Sequence, residues 1–178
     1  DIDFEKKQEI SLDEHLLMIT CKTAELIGAA MKMGAIIADA TIEEQEKIYE
    51  FGKNLGIAFQ LQDDYLDCFG NQNEFGKKIG GDIIEKKKTF LYVKTLELLP
   101  RNEKSNFISL YNSTHDNPDE KIALVKALYN KCNIENEVAV EIQKYTGKAF
   151  KISKSLKLTK EKSEFLHNFG NSLTQRKI

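Results

Sequence analysis

Proline is scarce in this sequence, with Pro100 and Pro118 the two examples in 178 residues. So few helix breakers, and few alternating β-branched runs, exclude a strand-rich fold and read as an all-α chain of helices with short breaks. Cysteine is equally thin. Cys21, Cys68 and Cys132 lie far apart and form no CxxC pair, which argues against a disulfide framework or structural zinc and fits reduced thiols in the cytoplasm. No long apolar run is present. The most apolar stretch, Leu26 to Ala38, is interrupted by Lys32 and falls short of the roughly 20 residues a membrane span needs, so it reads as a buried core helix. The charged start DIDFEKKQEI lacks the apolar segment of a secretory leader. A formal net charge of −2 provides no general basic footprint for nucleic acid, leaving only local lysine clusters.

What is present is 41% apolar and 30% charged residues with no shift in composition along the chain, which predicts one compact unit over residues 1–178. Ser11 with Glu14, and Thr41 with Glu44, have capping-box spacing and mark helix starts. They open helices predicted at about 12–39 and 42–69. Asn117 before Pro118 marks another start, with proline at the first helical position. The remaining pattern predicts helices at about 83–99, 102–112, 118–131, 134–155 and 160–175. Between the second and third helices, CFGNQNEFGKKIGGD reads as a glycine-rich loop carrying lysines, a natural cover for an anionic ligand.

On the helix before that loop, Gly52, Gly56, Gln60, Asp63 and Asp67 recur at intervals of 4, 4, 3 and 4 and share one face. Asp63, Asp64 and Asp67 are hard oxygen donors on a rigid helix, which suits Mg²⁺ shared with substrate phosphates. By spacing alone the same run is also what a solvated helix end looks like. Its place near the helix C-terminus, where the macrodipole disfavours negative charge by roughly 0.3–1 kcal/mol, points towards function. Lys22 interrupts the stripe His15, Met18, Leu26, Ala29, Met33 and Ile36, which otherwise reads mostly as core. It either snorkels to water or directs its charge into a cavity facing the carboxylates. Among Lys77, Lys78, Lys86, Lys87 and Lys88, at least two are expected to be solvated and the others suit diphosphate oxygens.

Three ordered blocks, CKTAELIGAAMKMGAIIA, FQLQDDYLDCFG and FGKKIGGDIIEKKKTFL, together resemble the second aspartate-rich region and its flanks in the polyprenyl synthetase family. The resemblance implies an isoprenoid synthase-type helical bundle and a trans-prenyltransferase, active in the cytoplasm as a homodimer. It implies Mg²⁺ held by Asp63, Asp64 and Asp67, with Asp63 in direct contact. Lys22, Phe59, Gln60, Lys77 and Lys87 would bind substrate, while Lys22, Thr23 and Gln60 would take the catalytic positions. Substrates would be isopentenyl diphosphate and an allylic diphosphate, with ionisation to a carbocation, attack by the double bond and proton loss to the departing diphosphate.

The sequence departs from the family pattern in having one aspartate-rich motif where the family has two facing each other. Arg101 and Arg176 are its arginines, so the family's paired arginines have no counterpart. The opening DIDFE resembles a segment that follows the first motif, and the first residue is not Met, so an upstream part is expected to be missing and this polypeptide alone to be inactive. A non-catalytic, partner-binding subunit of a heteromeric synthase is the alternative reading. A terpene cyclase is disfavoured because its usual second metal motif is not apparent.

Overall fold

The computed structural model describes residues 7, 10–70, 79–114 and 117–174. The described residues form helices and no strand: α1 (Leu12–Ile19), a π turn (Thr20–Ala24), α2 (Glu25–Ile37), α3 (Ile42–Phe69), α4 (Gly81–Ile84), α5 (Phe90–Leu98), α6 (Arg101–Asn112), α7 (Pro118–Lys131), α8 (Ile134–Lys154) and α9 (Lys160–Thr174). Among them no helix is long and apolar enough to cross a membrane. All three cysteines are free, and burial pushes the Cys68 thiol up to about 12.

The predicted caps form. Glu14 and Ser11 exchange reciprocal bonds at α1, as do Glu44 and Thr41 at α3. Asn117 accepts from the Asp119 N–H at the start of α7, with Pro118 behind it. The first predicted helix, however, is wound with one π turn. The Thr20 hydroxyl donates to the Leu16 carbonyl at 2.7 Å, and the Glu25 N–H reaches back five residues to the Thr20 carbonyl.

That extra residue changes which face is buried. His15, Ile19, Ala24 and Gly28 are the buried positions, at intervals of 4, 5 and 4. The expected stripe therefore leaves the core after Met18, and Leu26, Met33 and Ile36 are 71%, 56% and 49% exposed. The reading of Leu26–Ala38 as a buried core helix is corrected accordingly: Gly28 is its one fully buried residue, Ile27 and Met31 are partly buried, and Leu26, Met33, Ile36 and Ile37 face outward.

Contacts divide the chain into two compact units, one containing residues up to 15 and 63–139, the other 16–62 and 140–177. In the second unit Phe51, Leu55 and Ala149 are fully buried among Met31, Ile48, Phe150 and Leu166. Here α2 and α3 meet backbone to backbone. A Cβ added at Gly52 would lie 3.1 Å from the Gly28 Cα, and one at Gly56 would lie 2.6 Å from the Ala24 Cα. The glycine stripe read from the sequence is thus in part a packing ridge. The first unit is built on an aromatic cluster in which the Tyr92 and Tyr111 rings are 4.4 Å apart and Phe107 lies 5.4 Å from Tyr92. Such rings bring both apolar area and edge-to-face attraction to a core.

The helix expected at 83–99 is two helices. Lys86 adopts φ 59°, its N–H donates to the Ile83 carbonyl, and the Lys87 N–H donates to the Asp82 carbonyl at 2.9 Å. This is a Schellman closure, in which a residue in the left-handed region ends the helix. The lysine run therefore occupies the turn before α5 and not its first helical residues.

Candidate carboxylate and lysine site

The candidate side chains fall into two sets, one in each unit. In the unit holding residues 16–62, Lys22 and Thr23 sit on the π turn, a feature common at functional positions. Lys22 is exposed, while Thr23 is partly buried and its hydroxyl donates to Gln60 Oε1 at 3.0 Å. Thr23 and Gln60, 37 residues apart in sequence, are therefore in contact. The bond orients the Gln60 amide on α3, and Phe59 beside it is partly buried.

In the unit holding residues 63–139, the last two turns of α3 carry Asp63, Asp64 and Asp67. Asp63 is partly buried. Asp64 is 6% exposed, lies 3.9 Å from His15 Nε2, and its Oδ2 accepts from the Phe90 N–H at 3.3 Å. Thr89, the residue before α5, makes no side-chain cap of its own. Asp64 thus satisfies a backbone donor at the start of α5, where a carboxylate is also favoured by the helix dipole. Asp67 Oδ2 accepts from the Asp82 N–H at 3.0 Å, and its main-chain oxygen accepts from the Gly80 N–H. Gly80, at φ 81°, abuts Ile122, so the chain turns sharply back onto α7 at a position that strongly favours glycine.

The electrostatics follow from this packing. Burial pushes the Asp67 carboxyl above its ordinary range, the neighbouring Asp82 charge adds to that, and the Asp82 N–H opposes both. Lys87 reaches Asp82 Oδ1 at 2.8 Å and Glu85 Oε2 at 2.7 Å, and the bonds to these two carboxylates hold its ammonium above the usual lysine range. Lys86 and Lys88 are partly buried neighbours of this turn. Lys77 and Lys78 lie outside the described residues.

Among the described residues no three His, Cys, Asp or Glu side chains gather as a self-sufficient metal site. The donor chemistry nevertheless fits a magnesium ion shared with phosphate, which takes only one or two protein carboxylates. Asp63 and Asp67 stand one turn apart, and Asp67 is destabilised as an anion by burial and by Asp82, a state that a dication relieves.

Three participants were not read from the sequence. Asp82 had a signal, as a carboxylate five residues before Lys87 beside a glycine pair. His15 was assigned to an apolar stripe, and Tyr111, which reaches the turn from α6, had no local signal.

An all-α chain with a carboxylate-ended helix and a polar π turn places this protein among helical-bundle proteins. The chain belongs to the polyprenyl synthetase family, whose model matches residues 1–131. It is 38% identical over 122 residues to the short chain isoprenyl diphosphate synthase of Methanothermobacter thermautotrophicus, covering 68% of this chain and 36% of that protein. A crystal structure of geranylgeranyl pyrophosphate synthase superposes at TM-score 0.89 with 41% identity, over 100% of this chain and 55% of that one. The Corynebacterium glutamicum geranylgeranyl pyrophosphate synthase, solved with isoprenyl diphosphate and magnesium, does so at 0.88 with 26% identity, over 99% of this chain and 50% of that one. These neighbours bear out the expected isoprenoid synthase-type bundle. The chain spans about half the length of these solved relatives and about a third of the curated one.

Proposed function

We propose that this chain supplies the second aspartate-rich surface of a trans-prenyltransferase that joins isopentenyl diphosphate to an allylic diphosphate. The observation that carries the reading is Lys87 held against Asp82 in a turn that is itself bonded to Asp67 of the DDxxD run. Support comes also from the family match and from a related synthase that binds isoprenyl diphosphate and magnesium.

In this reading the allylic C–O bond breaks heterolytically and diphosphate leaves with the electron pair. The double bond of isopentenyl diphosphate then attacks the cation, and a proton passes to the departing diphosphate. Asp63 and Asp67 hold Mg²⁺, which when bound neutralises charge on the leaving diphosphate. Asp64, committed to the Phe90 N–H, secures the helix that carries them. Lys87 exchanges its internal carboxylates for diphosphate oxygens, a preorganised charge that gains strength as negative charge develops. Lys77 and Lys22 bring further positive charge. Thr23 fixes the carbonyl dipole of Gln60, which with Phe59 lines the path of the allylic cation.

The enzyme works in the cytoplasm as a homodimer, and elongation uses a second set of carboxylates facing this one, as the family resemblance implies. The test is to assay the full-length product of the gene with both diphosphates and Mg²⁺. Elongation should appear, and Asp63→Ala and Lys87→Ala should each lower kcat/KM by about 100-fold or more. No elongation, or variants as active as the parent, would sink the reading. Sedimentation of the same protein checks the dimer.

A further inference from the structure

We propose that Tyr111 is a positioning residue for Lys87, acting through the main chain of the turn on which Lys87 sits. The inference rests on the diphosphate-binding role given above to Lys87. The Tyr111 hydroxyl donates to the Lys87 carbonyl at 2.6 Å, with the Asp82 carbonyl 3.4 Å away. Those two carbonyls bracket the segment that presents the ammonium. The Lys87 carbonyl also accepts from the Thr89 N–H, and the Asp82 carbonyl from the Lys87 N–H. The hydroxyl therefore locks the exit of the Schellman turn from outside it.

Tyr111 is suited to this work. It is 1% exposed, and its ring packs against Tyr92 and Phe107 on α5 and α6, so the hydroxyl is delivered from an aromatic cluster with little freedom. Burial pushes the phenol well above 10, so it remains an O–H donor throughout the working pH range. Opposite it, Asp67 holds the Asp82 N–H and Asp64 holds the Phe90 N–H. The segment from Asp82 to Phe90 is thus fixed at both ends by the aspartate run and near its middle by Tyr111. Without the hydroxyl the turn keeps its internal bonds but loses the tie that sets the Lys87 backbone, and an exposed four-carbon side chain magnifies any swing at its root.

The experiment is a double-mutant cycle in the full-length protein, using Tyr111→Phe, Lys87→Ala and the double variant, with KM for the allylic diphosphate and kcat read separately. Tyr111→Phe keeps the ring, and loss of one neutral hydrogen bond predicts a roughly fivefold rise in KM. On the Lys87→Ala background the same change should move KM by less than about twofold, since the group being positioned is gone. A merely structural tyrosine would impose the same factor on both backgrounds, and that result, or an unchanged KM in Tyr111→Phe alone, overturns the proposal. If Lys87→Ala itself is harmless, the diphosphate role of Lys87 falls and the inference with it. Hydrogen exchange supplies a second readout: the Lys87 and Thr89 amides should exchange at least about tenfold faster in Tyr111→Phe while core amides of α5 hold their rate. Should that variant not accumulate as folded protein, the wild type still decides. Amides at 87 and 89 as protected as those of α5 support the tie, and free exchange there overturns it.

Discussion

Gly56→Ala and Gly147→Ala are the same chemical change in helix interiors, and the structure assigns them opposite signs. At Gly147 an added Cβ meets nothing within 4 Å. There the change only removes backbone freedom from the unfolded chain, which stabilises by about 0.5–1 kcal/mol. At Gly56 the Cβ would lie 2.6 Å from the Ala24 Cα, 3.0 Å from its Cβ and 3.2 Å from Ile27 Cδ1. Ile27 can swing aside, but the Ala24 backbone cannot, so α3 and the π turn must separate by roughly 1 Å to restore carbon–carbon contact distance. Overpacking of this kind costs about 1–3 kcal/mol. The separation also stretches the 3.0 Å Thr23–Gln60 bond beyond useful length, adding about 1 kcal/mol. Subtracting the propensity gain leaves a net loss of about 1.5–3 kcal/mol. Thermal unfolding followed by circular dichroism should place Gly56→Ala roughly 4–10 °C below the parent and Gly147→Ala roughly 2–3 °C above it. Two shifts of the same sign would refute the close helix approach on which the Thr23–Gln60 contact depends.

Other outcomes follow from single residues. Lys86→Gly relieves a left-handed residue at φ 59° and should raise stability by about 1 kcal/mol in urea unfolding. Asp67→Asn removes a half-buried anion beside Asp82 yet keeps an acceptor for the Asp82 N–H, so the melting midpoint should hold or rise at pH 7. The same variant should lose Mg²⁺-dependent binding of inorganic diphosphate, measured by calorimetry in the full-length protein. The Glu14 carboxyl is held down at about 2 by the Lys7 ammonium and the Ser11 N–H. Because the folded value lies below the unfolded one, its contribution is complete above pH 4.5 and disappears as pH falls towards 2. Melting midpoints of the parent should therefore fall more steeply across that window than those of Glu14→Gln.

Features that depend on neighbours in sequence were legible before the structure. The two capping boxes, the Asn117–Pro118 start and the carboxylate spacing near the end of α3 each follow from bonds within a turn or two. Legibility failed where a distant or unusual partner decided the outcome. The break at Lys86 was hidden because a lysine occupies a conformation that ordinarily announces itself by glycine. The apolar stripe through Leu26 was misassigned because the Thr20 hydroxyl helps insert one residue into the helix and shifts the buried face. The bond from the Phe90 N–H to Asp64 was hidden because the two residues lie 26 apart. The resemblance put Thr23 and Gln60 separately among the catalytic positions, and their hydrogen bond was not legible because no spacing rule links residues 37 apart.

The π turn also behaves as a phase shifter. A helix with an uninterrupted 3.6-residue repeat shows a neighbour one stripe along its whole length, whereas a single inserted residue advances that stripe by about 100°. Winding the turn as regular α-helix with the same number of residues would leave helix content almost untouched, yet it would rotate every side chain after Ala24 by about 100° relative to His15 and Ile19. The segment thus carries a setting of angle that composition and helicity do not record, and a one-codon deletion there would remove the bulge and its extra residue together and leave that angle as it is.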